Sequence, residues 1–165
     1  MTKTNQPDNY HPENTRTGQK GSVTVEMALL LIVMVMIMAG IFEFSRAFWY
    51  YNALDKSTRD AARFMSAVTS IDIINSTNTA AAVATAKNLA LTTANNANVS
   101  PALTASNIDI KCDAAACTGT KPNNVTVTIV NFSVKIGGIF PFVLATDGNY
   151  GNATLSPSTT MRYMN

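Results

Sequence analysis

The longest run of hydrophobic positions occupies residues 27–42, near the start of the chain. All sixteen of these residues are uncharged, and all except Gly40 are apolar. As a helix rising about 1.5 Å per residue, the run is about 24 Å long, which is shorter than the ~30 Å hydrocarbon core of a bilayer. Adding residues 22–26 and 43–44 lengthens it to about 35 Å. The pattern therefore predicts a transmembrane helix over about residues 22–44.

The helical pattern continues beyond the apolar run. Residues recur at spacings of four and three, which is typical of one helix face, at Tyr50, Leu54, Ser57, Ala61, Met65 and Val68. The aromatic residues at 48–51 lie where an interfacial belt is expected. No proline or glycine interrupts residues 41–70. We therefore predict one helix over about residues 22–70, with its first half in the membrane and its amphipathic second half outside.

The hydrophobic period changes in the remainder of the chain. An alanine-rich segment over residues 79–95 predicts a second helix. Residues 107–112 and 123–136 alternate with a period of two and predict strands. In the longer strand the apolar positions change parity after Ile129, so we expect a bulge or bend near Ile129 and Val130.

The end of the chain shows weaker patterning. Residues 146–152, TDGNYGN, are predicted to form a loop. Residues 153–165 alternate weakly and predict a last strand. Because Pro157 has no N–H to donate, we expect that strand at the edge of a sheet. Residues 71–165 are thus predicted to form one extracytoplasmic domain of mixed helix and strand.

The residues that precede the apolar run are polar, and Lys3, Arg16 and Lys20 are among them. Basic residues beside a first span normally stay in the cytoplasm. We therefore predict that residues 1–21 are a disordered cytoplasmic leader and that residues 45–165 lie outside the cytoplasmic membrane.

A cleaved secretory signal is the competing interpretation of the same segment. The sequence SRA at 45–47, with small residues at its first and third positions, is an acceptable cleavage site. However, the apolar core is long for such a signal, and the charged Glu43 and Arg46 crowd the cut. That interpretation also leaves unexplained the acidic Glu26, an unfavourable residue at the start of an apolar run.

The amount and distribution of charge argue against a nucleic-acid-binding surface. The formal net charge is +2 and only 13% of the residues are charged, whereas nucleic-acid surfaces carry clustered Lys and Arg. The densest basic group, Lys56, Arg59 and Arg63, is interleaved with Asp55 and Asp60. This interleaving indicates a solvated helix face, on which Asp55–Arg59 and Lys56–Asp60 are expected to pair.

The candidate chemistry is sparse. Cys112 and Cys117 have four residues between them, a spacing that suits neither a CxxC redox pair nor half of a zinc site. In an exported chain we expect a small disulfide-closed loop, with two free thiols as the alternative. The only histidine, His11, lies in the leader, and no GxSxG, HExxH or P-loop motif occurs. We therefore expect no metal, no cofactor, no small-molecule substrate and no enzymatic activity.

A glycine-glutamate pattern marks the start of the apolar run. Gly21 precedes Ser22, and Glu26 is the fifth residue counted from Ser22. This resembles a class III, prepilin-type signal. With TVEMA at 24–28, the step from Gly40 through Glu43 to Arg46, and AAR at 61–63, the segment over about residues 18–68 resembles the TadE-like family. These are pilin-like proteins of bacterial tight-adherence (Tad/Flp) secretion systems, whose members often carry a proline in the apolar segment that is absent here.

The resemblance implies a pilin-like α+β fold, in which the long N-terminal helix packs on a small antiparallel β-sheet. It also implies that a prepilin peptidase cuts between Gly21 and Ser22, with Lys20 holding the leader in the cytoplasm. The carboxylate of Glu26 is then expected to neutralise the freed amine of a neighbouring subunit. The implied partners are the prepilin peptidase, other pilins or pseudopilins, the pilus assembly platform and inner-membrane lipid.

Other interpretations stand beside these expectations. The alternative role for Glu26 is that of a carboxylate near the start of the helix, where the N-terminal dipole favours a negative charge. Glu43 and Arg46 suit either an i,i+3 pair or an inter-subunit contact, and Arg59 and Arg63 suit either a solvated face or such a contact. For the whole protein, the alternatives are a type II secretion pseudopilin, a type IVb pilin, an uncut membrane-anchored binding or adhesin module, and a secreted enzyme.

Overall fold

The computed structural model of the 165-residue chain describes residues 20–137 and 151–165. Most of the predicted leader and most of the loop predicted at 146–152 lie outside the described residues. The chain divides into two compact units, Met1–Ile37 and Met38–Asn165. In the first unit, every residue over 21–37 is helical and exposed. The second unit holds all other described elements.

Helix α1, Lys20–Ser66, contains the predicted apolar run and the predicted stripe as far as Met65. It ends four residues before the predicted boundary, and the carbonyls of Ser66 and of the next residue, Ala67, accept hydrogen bonds from residues near the C-terminus. The Met164 N–H donates to Ser66 O at 3.1 Å, and Asn165 Nδ2 donates to Ala67 O at 2.7 Å. These bonds supply partners for carbonyl groups that a helix end leaves open.

Two further helices follow a short turn. Helix α2, Ser70–Ile74, is capped by Thr69, whose side-chain oxygen accepts a hydrogen bond from the Asp72 N–H. Helix α3, Ser76–Asn96, corresponds to the predicted second helix but begins three residues earlier. Its cap is Asn75, whose side chain accepts from the N–H groups of Thr77 and Asn78. Such caps satisfy the first free donors of a helix.

The strands form two antiparallel sheets. Their bounds are Ile108–Cys112 (β1), Ala115–Ala116 (β2), Asn124–Ile129 (β3), Phe132–Lys135 (β4), Asn152–Leu155 (β5) and Ser158–Arg162 (β6). The first sheet has four strands in the order β2-β1-β3-β6, and the second pairs β4 with β5. Helix α1 and these antiparallel sheets confirm the predicted α+β class, a long N-terminal helix with a small antiparallel β-sheet.

The parity change after Ile129 marks a change of sheet. Strand β3 pairs with β1 and β6, whereas β4 pairs only with β5 among the described strands. Between them Asn131 has φ of 54°, a left-handed conformation that asparagine tolerates better than most residues. The predicted bend is therefore confirmed, but it ends one strand and starts another instead of forming a bulge within a single strand.

Pro157 divides the predicted last strand into two. Strand β5 ends at Leu155 and β6 starts at Ser158, and the two belong to different sheets. The Pro157 carbonyl accepts a hydrogen bond from the Ile129 N–H at 3.0 Å. Strand β6 lies at an edge of its sheet, as predicted. The prediction of one continuous strand was wrong, because proline cannot donate to a ladder.

One hydrophobic cluster joins α1, α3 and the sheets within the second unit. The predicted stripe of α1 is confirmed: Tyr50, Leu54, Ala61 and Met65 are buried in this cluster, and Val68 packs against it. Strand β3 contributes Val125, Val127 and Ile129, and β4 contributes Phe132 and Val134. The change of parity at the bend thus keeps both apolar sets buried.

Tyr163, next to the C-terminus, is buried and its hydroxyl donates to Val68 O at 2.5 Å. Burial, followed by the nearby Asp72 charge, raises the pKa of Tyr163 above its ordinary value of 10.0. Tyr163→Phe should therefore lower the free energy of unfolding by about 1 kcal/mol at neutral pH, which is typical of one lost hydrogen bond.

The same pKa shift predicts an alkaline effect. In the unfolded chain the tyrosine ionises near pH 10.0, whereas the folded state retains the proton to higher pH. Stability is thus lost as the pH rises above about 10, and Tyr163→Phe should lack this part of the loss. Thermal melts of both proteins between about pH 8 and 11 measure it, with the exposed Tyr51→Phe as control. Parallel curves for wild type and Tyr163→Phe would contradict the prediction.

Candidate functional site

The segment predicted to be processed lies at the start of α1, where Gly21, Ser22 and Glu26 are exposed. A Cβ added to Gly21 would meet no atom within 4 Å. The described structure therefore supplies no packing reason for glycine at this position. Helix α1 is the one helix, among those described, that is long and apolar enough to cross a membrane, judged by length and composition.

Glu26 lies four residues after Ser22, so the two are on the same face of α1, about 6 Å apart along its axis. Helix α1 begins at Lys20 and has no acidic residue in its first turn. The stabilisation of a carboxylate by the helix dipole falls off within that turn. The helix-start interpretation of Glu26 is therefore weak for the uncut chain.

Glu43 and Arg46 form an ion pair on α1. Arg46 Nη2 lies 2.7 Å from Glu43 Oε2, and the side chains are 25% and 9% exposed, respectively. The same Nη2 donates to Lys135 O at 2.6 Å, a contact between α1 and β4. The Tyr50 ring lies 6.0 Å from Arg46 Cζ. The i,i+3 pair predicted from the sequence thus exists within one chain and also fixes α1 to the second sheet.

The more distal charged positions on α1 face solvent. Arg59 pairs with Asp55 at 2.7 Å, and its side chain is 64% exposed. Arg63 is also exposed. The other predicted pair, Lys56–Asp60, does not form, since no contact between these two described side chains falls within ion-pair distance. Arg59 and Arg63 therefore remain accessible from solvent.

Cys112 and Cys117 are joined in a disulfide. The bond closes the β1–β2 hairpin, whose turn holds Asp113 and Ala114 at φ of 49° and 68°. The Asp113 carboxylate accepts the N–H groups of Asn123 and Asn124 at 2.8 and 2.9 Å. The disulfide and the Asp113 hydrogen bonds hold the hairpin together, and the predicted disulfide-closed loop is confirmed.

Sequence reasoning missed Lys135. Its backbone carbonyl holds Arg46 across a separation of 89 residues. A carbonyl acceptor has no side-chain signature, so no motif could have identified it. Within residues 20–137 and 151–165, no three His, Cys, Asp or Glu side chains are grouped as a metal site would require.

The family comparison matches the segment that carries these residues. A family model described as TadE-like protein matches residues 21–63. The predicted resemblance to the TadE-like family is therefore confirmed over that segment. No curated protein and no solved structure matches the chain.

Proposed function

We propose that this protein is a non-enzymatic minor pilin or pseudopilin of a Tad-type pilus system. The observation that carries the proposal is the TadE-like match over residues 21–63, which includes Glu26, the Glu43–Arg46 pair and Arg63. Helix α1 supports it, because its apolar first part is of membrane-spanning length and composition and its second part is built into a folded domain. The protein acts through contacts with other subunits.

The first step is cleavage by a membrane-embedded prepilin peptidase between Gly21 and Ser22. Lys20 keeps the leader in the cytoplasm, and the absence of a side chain at Gly21 lets the backbone enter a protease site. A Cβ built at Gly21 would meet no atom of the described structure within 4 Å. Packing therefore does not require glycine here, which supports a role for this glycine in cleavage. The resulting chain is anchored in the inner membrane with residues 45–165 in the periplasm.

The second step is assembly. Cleavage frees an amine at Ser22, about 6 Å along the helix from the Glu26 carboxylate. In a bundle of apolar helices an unpaired charge costs several kcal/mol, and pairing with an opposite charge on a neighbour offsets much of that cost. The pairing therefore sets the axial register of subunits as well as their attraction. Arg59 and Arg63 are proposed as further inter-subunit contacts because their side chains are exposed.

The terminus of the mature protein tests the proposal. Intact mass measurement on protein from native membranes should give a chain that begins at Ser22. Gly21→Val should leave most of the protein uncut, because a β-branched side chain replaces the Cβ-free position at the cut. Gly40→Ala is the matched control: it too changes a helical glycine with no atom within 4 Å of its Cβ position, and cleavage should be normal.

Two other termini would contradict the proposal in different ways. A chain that begins at Phe48 would show cleavage after the SRA sequence and favour a secreted protein. An intact chain that begins at Met1, in cells where another prepilin is cut, would favour a membrane-anchored binding module with an uncut leader.

A further inference from the structure

A cavity of about 360 Å³ lies in the second unit beside the Glu43–Arg46 pair. It is lined by Arg46, Ser100, Pro101, Ser133, Lys135 and Asn152. Two of these side chains are cationic, three are neutral and polar, and none is acidic. The lining thus offers hydrogen-bond donors and positive charge together, which is the chemistry that binds a phosphate group.

The two cations retain unused donors. Arg46 uses Nη2 for Glu43 and for the Lys135 carbonyl, while its Nε is buried and has no hydrogen-bond partner among the described residues. A buried donor without a partner carries a desolvation cost. The Lys135 ammonium forms no ion pair within residues 20–137 and 151–165. An added anion would therefore gain from both side chains.

The position of Arg46 in the chain indicates where that anion comes from. Arg46 follows Phe44, the end of the predicted span, by two residues. Large aromatic side chains beside it, Phe44, Phe48 and Trp49, are exposed, as in an interfacial belt. With the membrane span of the proposed function, on which this step rests, Arg46 lies just past the end of the span, where lipid headgroups are found.

We propose that this cavity binds the phosphate of an anionic phospholipid headgroup in the periplasmic leaflet. Lys135 supplies a positive charge that no ion pair among the described residues uses, and Arg46 supplies the donors that Glu43 leaves free. The hydroxyl groups of Ser100 and Ser133 and the Asn152 amide supply further donors. The exposed aromatic side chains hold the acyl side of the same lipid. The bound headgroup fixes the depth of the folded domain against the membrane before a subunit leaves it.

Trp49, the only tryptophan of the chain, lies three residues from Arg46 and reports on this site. Full-length protein is reconstituted in vesicles of mixed phosphatidylglycerol and phosphatidylcholine, with bromine placed on one lipid or on the other. Brominated phosphatidylglycerol should quench Trp49 more strongly than brominated phosphatidylcholine at equal mole fraction. The preference should weaken about fivefold in Lys135→Gln, as expected for one basic side chain at a membrane surface.

Lys135→Gln is a mild change because the carbonyl that holds Arg46 is retained and the side chain is exposed. Lys56→Gln is the matched control: Lys56 is exposed on α1, has no ion pair among the described residues and lies outside the cavity. It removes the same charge and should keep the preference. An equal loss in both variants would mean general surface electrostatics and would overturn the site.

The source of the phosphate is tested separately. Inorganic phosphate titrated into detergent-solubilised protein should change Trp49 fluorescence only weakly. Strong, Lys135-dependent binding of inorganic phosphate without a lipid preference would overturn the lipid assignment. Equal quenching by the two brominated lipids would overturn the headgroup site while leaving the span and pilin assembly standing. Quenching by neither lipid would overturn the span itself, and the site with it.

Discussion

Replacing Glu26 by alanine should leave membrane insertion intact and reduce incorporation into filaments by at least about a hundredfold. Removal of one partner from a buried ion pair costs about 3–5 kcal/mol, and each 1.4 kcal/mol is a factor of ten in an equilibrium constant. The variant would leave the freed Ser22 amine of a neighbour without its carboxylate inside an apolar bundle. Glu26 is the one acidic residue in residues 22–42, and Glu43 at the far end of the span is already paired with Arg46, so it cannot replace the lost carboxylate.

The experiment measures the variant in the membrane fraction and in sheared filaments of the same cells. Met27→Ala is the matched control, since it changes the adjacent exposed residue without removing a charge, and should assemble normally. Intact mass must show that Glu26→Ala is still cut at Ser22, which separates assembly from processing. Filament incorporation at the wild-type level by the cleaved variant would remove the charge-pairing account.

Local periodicity predicted the elements whose burial follows from one repeating pattern. The spacing of four and three on α1 identified the face that is buried at Leu54, Ala61 and Met65. The alternation of β3 and the parity change after Ile129 located the bend at which the chain changes sheets. Both succeed because side-chain direction in a helix or a strand is set by backbone geometry alone.

Long-range partners explain what the pattern missed. The end of α1 depends on Tyr163, Met164 and Asn165, which bond to carbonyls about a hundred residues earlier in the chain. No local signal at Ser66 reports such bonds. Pro157 predicted an edge position for the last strand, because proline has no N–H to donate. It could not predict that the chain changes sheets there, because a missing donor does not specify the next strand partner.

In the candidate site, too, local patterns were predicted from the sequence and long-range contacts were not. The positions of Gly21 and Glu26 come from a motif, and the i,i+4 spacing from Ser22 to Glu26 needs only helical geometry. The Glu43–Arg46 pair was predicted as one of two alternatives. The hydrogen bond from Arg46 to the Lys135 carbonyl was not predicted, because a backbone acceptor has no side-chain signature in the sequence. That unpredicted connection is also what brings a second cation to the cavity beside Arg46.

Leu54→Ala should destabilise the folded domain by about 2–5 kcal/mol, the range for a buried leucine replaced by alanine. Leu54 is 0% exposed in the core cluster, so truncation loses apolar burial and leaves a cavity. Phe44→Ala is a stringent control, because it removes a larger apolar side chain from the same helix at a position that is 74% exposed. Its effect on the free energy of unfolding should stay within about 0.5 kcal/mol.

Trp49 fluorescence during thermal or chemical unfolding measures both variants, because the indole Nε1 donates to Ala97 O at 3.3 Å and so joins α1 to the segment after α3. Similar losses for Leu54→Ala and Phe44→Ala would contradict the assignment of separate faces on α1. In cells, Leu54→Ala should insert in the membrane yet be degraded, because its folded domain is destabilised. Glu26→Ala should instead persist as folded, unassembled subunits, so the two variants separate the folding function of α1 from its assembly function.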